Sequence, residues 1–301
     1  MTLQYSIVVL TKDRPQLLRR SVNSALENLT DKGELLIIDD HSALSARDCL
    51  SDIVDRRMRI ASLPEGETGI ATARNAGFSL ANGDVVFFLD DDDKMEPGYC
   101  QSVLNDALER CDYGFSAYSQ VTNEGDYILR ARFDHGPIPD CAPLRKKTCG
   151  FGMGFWIKAI VAKEIGPVST NLSINEDTDY VCRLITVGKR AWYNATPSIT
   201  IFTGHRETSD LANVTHTTAP NERARCMRIL CDRYPQMVDH LGASYIRHCT
   251  KYDAQAEAWS FIREQSDWRV RGRLASLLLV KTVAYHLLHW RRSNGVTKPR
   301  A

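Results

Sequence analysis

The sequence is short of the features that would tie it to metal ribbons, disulfide scaffolds, nucleic acid or secretion. None of its nine cysteines forms a C-x-x-C pair, which speaks against a zinc ribbon or a disulfide framework and fits reduced thiols in a cytosol. The formal net charge is only +1 and there is no long basic block, so nucleic acid is not expected as the main partner, because phosphate neutralisation needs clustered Lys and Arg. Met1 to Leu10 lack a basic region followed by a long apolar stretch. No secretory signal is read there, and the Asn171-Leu172-Ser173 sequon is taken as a chance match. Internal repeats and low-complexity linkers are also absent. What remains is 301 residues, 43% hydrophobic and 25% charged, enough for one large domain or one domain plus an appendage.

The most informative stretch is Val85 to Asp93, Val-Val-Phe-Phe-Leu-Asp-Asp-Asp-Asp. Five apolar residues after the turn Asn82-Gly83-Asp84 describe a strand buried on both faces, as in a parallel sheet. Four carboxylates at its end repel one another unless a cation sits among them, and a hard divalent metal bridging phosphates resolves that repulsion. Ligands of open α/β sheets lie outside the carboxyl ends of the strands, where these residues fall. A solvated acidic turn is the plainer alternative.

Taken in order, Tyr5 to Leu10 reads as a strand, followed by Thr11-Lys12-Asp13-Arg14-Pro15, which opens a helix with Asp13 as cap and Pro15 in the first turn. Glu34 to Ile38 is a second strand, stopping at Asp39-Asp40-His41-Ser42. Strand, helix, strand implies a right-handed parallel crossover. An amphipathic stretch at Ala46 to Val54, a strand near Met58 to Ala61 and a helix at Ile70 to Leu80 continue the alternation. Beyond Pro97, a helix at Tyr99 to Leu108 leads to two strands, Gly114 to Thr122 and Tyr127 to Phe133, joined as a hairpin through Asn123-Glu124-Gly125-Asp126. The run Cys149-Gly150-Phe151-Gly152-Met153-Gly154 has neither the G-x-G-x-x-G spacing nor a following Lys-Ser/Thr, so it reads as backbone passing close to a ligand. Ile157 to Ile165 reads as a helix. Asn175-Glu176-Asp177-Thr178-Asp179 opens another, with acidic residues at its positive end.

Strand signals vanish near residue 205, which sets a boundary between an α/β domain at 1–204 and a helical region at 205–301. Leu274 to Trp290 is apolar but interrupted by Lys281, His286 and His289, too short and too marked for a membrane span. It reads either as a helix packed on the domain or on a second subunit, which would make a homo-oligomer, or as a basic amphipathic helix lying on an anionic membrane.

The ordered set Thr-Lys-Asp-Arg-Pro, Asp-Asp-His-Ser, Gly-Ile-Ala-Thr-Ala-Arg-Asn-Ala-Gly and Leu-Asp-Asp-Asp-Asp resembles the family 2 glycosyltransferases of the GT-A fold over about the first two hundred residues. The resemblance implies a Rossmann-type mixed sheet flanked by helices, with a nucleotide-sugar half at about 1–98 and an acceptor half at about 99–204. It also implies a nucleotide-diphospho-sugar donor, Mn²⁺ or Mg²⁺ bridging its phosphates, and inversion of the anomeric carbon in one displacement. Thr11 and Asp13 would hold the nucleoside, unless they only cap the next helix. Asp40 matches the position that accepts a hydrogen bond from the base, with Asp39 fixing the turn. Arg74 matches the cation near base and diphosphate, or else makes a surface salt bridge. Asp90 and Asp92 form the D-x-D pair, with Asp92 the first choice for direct metal ligation, and Asp91 would reach the ribose. Asp93 would act indirectly or be merely hydrated.

His205 resembles the downstream family histidine that completes the metal site, although Thr203 stands where an Arg is frequent. Glu176-Asp177 matches the family's Glu-Asp pair, which makes Asp177 the candidate general base and puts Glu176 beside the acceptor; capping the helix is the alternative role. Trp156 and Phe155 would offer an apolar face to the acceptor or pack the core. The acceptor itself would be a glycan, a lipid-linked glycan or a small molecule, met in the cytoplasm, with peripheral membrane contact if the helix at 274–290 lies on a membrane.

Three other readings compete. A nucleotidyltransferase wants a glycine-rich loop after the first strand, and here that loop has no glycine. A phosphatase with an aspartyl nucleophile expects Thr or Val after the second Asp, where Asp93 stands. A non-catalytic nucleotide-sugar-binding relative would not need both the acidic cluster and Asp177.

Overall fold

The computed structural model describes residues 4–122, 124–203 and 217–293. The chain divides into two compact units, Met1–Leu172 with Glu176–Asn213, and Ser173–Asn175 with Val214–Ala301.

The first unit is a ten-stranded mixed sheet with helices on both faces. Its strands are β1 (Tyr5–Thr11), β2 (Gly33–Asp39), β3 (Met58–Ser62), β4 (Val85–Asp90), β5 (Asp93–Met95), β6 (Tyr113–Val121), β7 (Tyr127–Arg130), β8 (Gly136–Pro137), β9 (Trp156–Lys158) and β10 (Ala191–Phe202). They run in the order β3-β2-β1-β4-β9-β6-β10-β5, with β7 on β6 and β8 on β10. β3, β2, β1 and β4 are parallel. Period-two alternation splits each strand between two cores. Ile7, Val9, Ile37, Phe87 and Leu89 pack under helix α1 (Pro15–Glu27) through Leu18 and Val22. On the opposite face, Val8, Leu36, Val86 and Phe88 share a core with Ala71 and Ala73 of α3 (Ile70–Leu80) and Tyr180 of α7 (Glu176–Thr186).

The helix expected from Tyr99 forms as α4 (Tyr99–Asp106), and the hairpin expected around 123–126 forms, with Val121 opposite Tyr127; the short α5 (Leu144–Lys147) follows it. Two expectations of helix are corrected. The stretch 46–54 yields only the short α2 (Ala46–Cys49), which Ser45 caps by accepting from Asp48 N. Ile157 belongs to β9, which pairs antiparallel with both β4 and β6; helix α6 starts only at Ala159 and ends at Ile165. Phe155, Trp156 and Ile157 are all fully buried, and bridging two strands outweighs any local helical preference there.

The second unit is helical, with segments Pro220–Arg233, Val238–Lys251, Gln255–Glu264 and Trp268–Ser293. Tyr245 meets Phe261 edge-on at 4.7 Å between ring centroids. Leu274 and Leu278 are buried, whereas Leu279, Val280 and Val283 are exposed. No described helix is long and apolar enough to cross a membrane.

Candidate active site

Strand register brings the motifs together. Thr11 lies opposite Asp39 and Leu10 opposite Asp90, and Asp40 N donates to Thr11 O at 2.9 Å, so three strand ends present their polar residues along one sheet edge. Asp39 fixes its turn as expected, accepting from Ser42 N at 2.9 Å and Ala46 N at 2.7 Å. Asp40 accepts from Thr68 Oγ1 at 2.7 Å, Gly69 N at 3.0 Å and Lys12 Nζ at 3.2 Å. Burial raises its pKa, but these hydrogen bonds and the Lys12 charge outweigh burial and keep the carboxyl below its usual range.

Asp13 does not cap α1. Its φ of 55° turns it towards the β2 loop, where its backbone N donates to Ser42 Oγ at 2.9 Å and its Oδ1 accepts from Ala43 N at 2.7 Å. Arg14 takes the cap position without a side-chain cap. The Asp13 side chain thus ties two loops together.

The acidic run divides by direction. Asp90, Asp92 and Asp93 each place a carboxylate oxygen within 4.8 Å of the other two; Asp92 and Asp93 are buried and Asp90 half-buried. Asp91 faces the first strand instead, accepting from Thr11 Oγ1 at 2.8 Å and Arg14 Nη1 at 3.0 Å. Burial pushes the Asp91 carboxyl up to about 7 against the pull of Arg14. Arg14 also stands 3.6 Å from Asp92. Arg20 donates to the Asp92 carbonyl and lies 3.7 Å over the Phe202 ring. Three converging carboxylates offer only hard oxygen donors, which suits Mg²⁺ or Mn²⁺ and not a thiolate-seeking metal. His205 lies outside the described residues.

The glycine-rich run touches this cluster from the other side. A Cβ on Gly152 would come 2.2 Å from Asp90 Oδ2, and one on Gly150 would come 2.9 Å from Asp177 Oδ2. The loop 149–154 therefore runs between the two carboxylates at separations that only glycine permits. Asp177 is half-buried, and its Oδ1 accepts from Thr178 N at 2.6 Å and Thr178 Oγ1 at 3.3 Å. Its Oδ2 faces the glycine loop.

Arg74 and Glu176 form a buried ion pair. The Arg74 guanidinium also lies 4.6 Å from the Phe151 ring centroid. Burial raises the Glu176 carboxyl above its usual range, Arg74 opposes it, and Asp177 and Asp90 add to the rise. Arg74 is thus no surface bridge, and the Glu176 carboxylate turns inward to Arg74, not outward to an acceptor. Phe155 and Trp156 are also corrected: both are fully buried, Phe155 stacked at 4.2 Å on Phe151, and neither ring face is open to an acceptor. Sequence reasoning missed Arg14 and Arg20 as cations beside the acidic run. Arg14 at least stood inside the first motif; Arg20 carried no signal.

A sheet whose parallel strands deliver carboxylates to their carboxyl ends, followed by antiparallel strands and a second acidic position, defines a GT-A-type transferase fold. A sequence model for "Glycosyl transferase family 2" matches residues 6–162, and the chain belongs to that family. The "Putative teichuronic acid biosynthesis glycosyltransferase TuaG" of Bacillus subtilis is 33% identical over 120 residues, 39% of this chain and 46% of TuaG. The chain therefore spans less than half the length of that relative. An "Uncharacterized glycosyltransferase" of Haemophilus influenzae is 26% identical over 257 residues, 80% of this chain and 82% of that one. The crystal structure of S. aureus TarS 1-349 in complex with UDP-GlcNAc superposes with a TM-score of 0.70 at 15% identity, covering 99% of this chain and 93% of that one. At that identity the likeness establishes the fold.

Proposed function

We propose that the chain is a metal-dependent, inverting glycosyltransferase that moves a sugar from a UDP- or dTDP-sugar to a hydroxyl of a glycan precursor or small acceptor in the cytoplasm. One observation carries the reading: the Asp90, Asp92 and Asp93 carboxylates converge within 4.8 Å, and the glycine loop that closes on Asp90 also closes on Asp177. The UDP-GlcNAc complex of S. aureus TarS supports a UDP-sugar donor.

In this reading residues 1–98 bind the donor and 99–204 the acceptor. Thr11, Asp13 and Asp40 shape the nucleoside pocket, and Asp91, anchored by Thr11 and Arg14, borders the ribose. Asp90, Asp92 and Asp93 would hold the divalent ion, with His205 as a further candidate ligand; when bound, the ion neutralises diphosphate charge and stabilises the leaving group. Asp177 Oδ2 takes the proton of the acceptor hydroxyl as that oxygen attacks the anomeric carbon, whose bond to the diphosphate oxygen breaks so that the nucleoside diphosphate leaves from the opposite face. Thr178 holds the other oxygen and so orients the carboxylate. Arg74 fixes Glu176 and, through it, the start of α7. Peripheral membrane contact rests on Leu279, Val280 and Val283, exposed on the helix that carries Lys281; sedimentation with anionic vesicles of the full chain and of a truncation after Asp267 tests it.

Incubation with a panel of nucleotide sugars and Mn²⁺, read as released nucleoside diphosphate, tests the activity. Release from a UDP- or dTDP-sugar is expected, and NMR of the transferred product should show an inverted anomeric centre. Release of pyrophosphate from a nucleoside triphosphate and a sugar phosphate would instead mark a nucleotidyltransferase.

A further inference from the structure

A cleft of about 540 Å³ opens on the acceptor half, lined among others by Arg132, Phe133, Asp134, His135 and Lys146. Between 126 and 148, Arg130, Arg132, Arg145, Lys146 and Lys147 outnumber Asp126, Asp134 and Asp140, in a chain whose net charge is only +1. These cations lean on neutral groups. Arg130 donates to Gln120 Oε1 at 3.2 Å, Lys146 Nζ to Arg132 O at 3.3 Å, and Lys147 to Asp140 O. Among the described residues no carboxylate lies within 4.0 Å of the charged groups of Arg130, Arg132, Lys146 or Lys147. These four cations are thus unpaired by any described carboxylate at that distance, and Asp134 is the one acid among the residues that line the cleft.

Arg132 is the best placed of them. Its backbone N donates to Tyr193 Oη at 2.8 Å, and its Nη1 donates to the carbonyl of Thr148, which opens the glycine loop. Its Nη2 reaches Met153 Sδ at 3.5 Å on the loop's far side. The guanidinium is half-buried and held in place, next to the loop whose Gly150 abuts Asp177. A cationic cleft and the candidate base thus border one loop.

The geometry points to a subsite for an anionic acceptor: the cleft of Arg132 and Lys146 holds a negatively charged group of a phosphate- or carboxylate-bearing glycan while a neighbouring hydroxyl reaches Asp177. The fixed positive charge of Arg132 with the exposed Lys146 ammonium beside it suits singly charged oxyanions spaced along a polyol or sugar chain. Steering by the local field draws such a chain to the cleft. This inference rests on the transferase reading above for its acceptor role.

The test uses the full wild-type chain without donor. Its lysines are acetylated in the presence of a glycerol phosphate oligomer, an oligogalacturonate or a neutral dextran, and the labelling of Lys146 is read by mass spectrometry against the exposed Lys32. Severalfold shielding of Lys146 but not of Lys32 by one or both anionic oligomers, and none by dextran, is expected; which oligomer shields identifies phosphate or carboxylate. Equal labelling in all three, or equal shielding of both lysines, overturns the subsite. In parallel, Lys146→Glu should bind the shielding oligomer about tenfold more weakly by fluorescence anisotropy, and unchanged affinity would overturn it. UDP titration of the same samples separates the two readings. UDP binding without shielding removes the cleft alone, and shielding without UDP binding removes the transferase reading alone.

Discussion

Arg74 and Glu176, 102 residues apart in sequence, meet in a buried ion pair that joins helix α3 to the first turn of α7. Both side chains are nearly inaccessible, at 4% and 6% exposure, so neither can fall back on water if its partner is removed. Arg74→Met or Glu176→Gln should each lower unfolding free energy by about 3–5 kcal/mol, because a buried charge is left uncompensated. Arg74→Met with Glu176→Leu should recover much of that loss. Urea unfolding of the three variants measures it; single variants as stable as wild type would mean that the pair does not form.

Asp177→Asn keeps the shape of the side chain but cannot take the acceptor proton. Nucleotide affinity should be unchanged, while transfer falls on the order of 10² to 10⁴. Near-normal turnover would leave Asp177 with only its hydrogen bonds to Thr178.

The two loop glycines should separate donor from acceptor chemistry. Gly152→Ala forces an atom into Asp90 Oδ2 and is expected to weaken metal-dependent UDP binding roughly 10- to 100-fold, as disturbed support of a metal ligand does. Gly150→Ala crowds Asp177 instead, so it should lower turnover with UDP affinity intact. Calorimetry and product release on both variants give the comparison, and identical behaviour of the two would remove the assigned division.

His248 makes the helical unit sensitive to acid. Burial, helped by Lys251, Arg223 and Arg247, pulls its pKa down to about 4 from an ordinary value near 6.5. The unfolded chain binds a proton through that window and the folded chain does not, so stability falls as pH drops from about 6.5 to about 4. With the ring half-exposed, solvent screening reduces the effect to on the order of 1 kcal/mol. Urea unfolding at pH 7 and pH 4.5 should show a smaller pH-dependent loss in His248→Asn than in wild type; equal losses would contradict this.

The parallel half of the fold was legible because β1, β2 and β4 are apolar runs that each stop at a polar cluster, and hydrophobicity written in short uninterrupted blocks is a local signal. The same stops exposed Asp40, Asp90 and Asp92. Trp156–Lys158 was not legible as a strand: three residues wedged between β4 and β6 owe their conformation to partners 69 to 73 residues back on β4 and 42 to 44 back on β6. Glu176 looked like a residue for the acceptor because nothing local reveals that it points at Arg74. Likewise Gly150 and Gly152 announced a close approach, but which atoms approach them depends on where α7 and β4 end up. Asp13, two residues before Pro15, had the sequence of a helix cap; its left-handed backbone sends it to Ala43 instead.

The central claim is that the carboxylates after β4 hold a divalent ion that mediates nucleotide binding, and calorimetric titration of UDP and dTDP into the full chain tests it most directly. With Mn²⁺ or Mg²⁺ present, one of the two nucleotides should bind; with chelator, affinity should fall by about tenfold or more, since carboxylates and diphosphate repel without a bridging cation. Asp92→Asn should show the weak affinity under both conditions. Equal affinity of the wild-type chain with metal and with chelator would contradict the account.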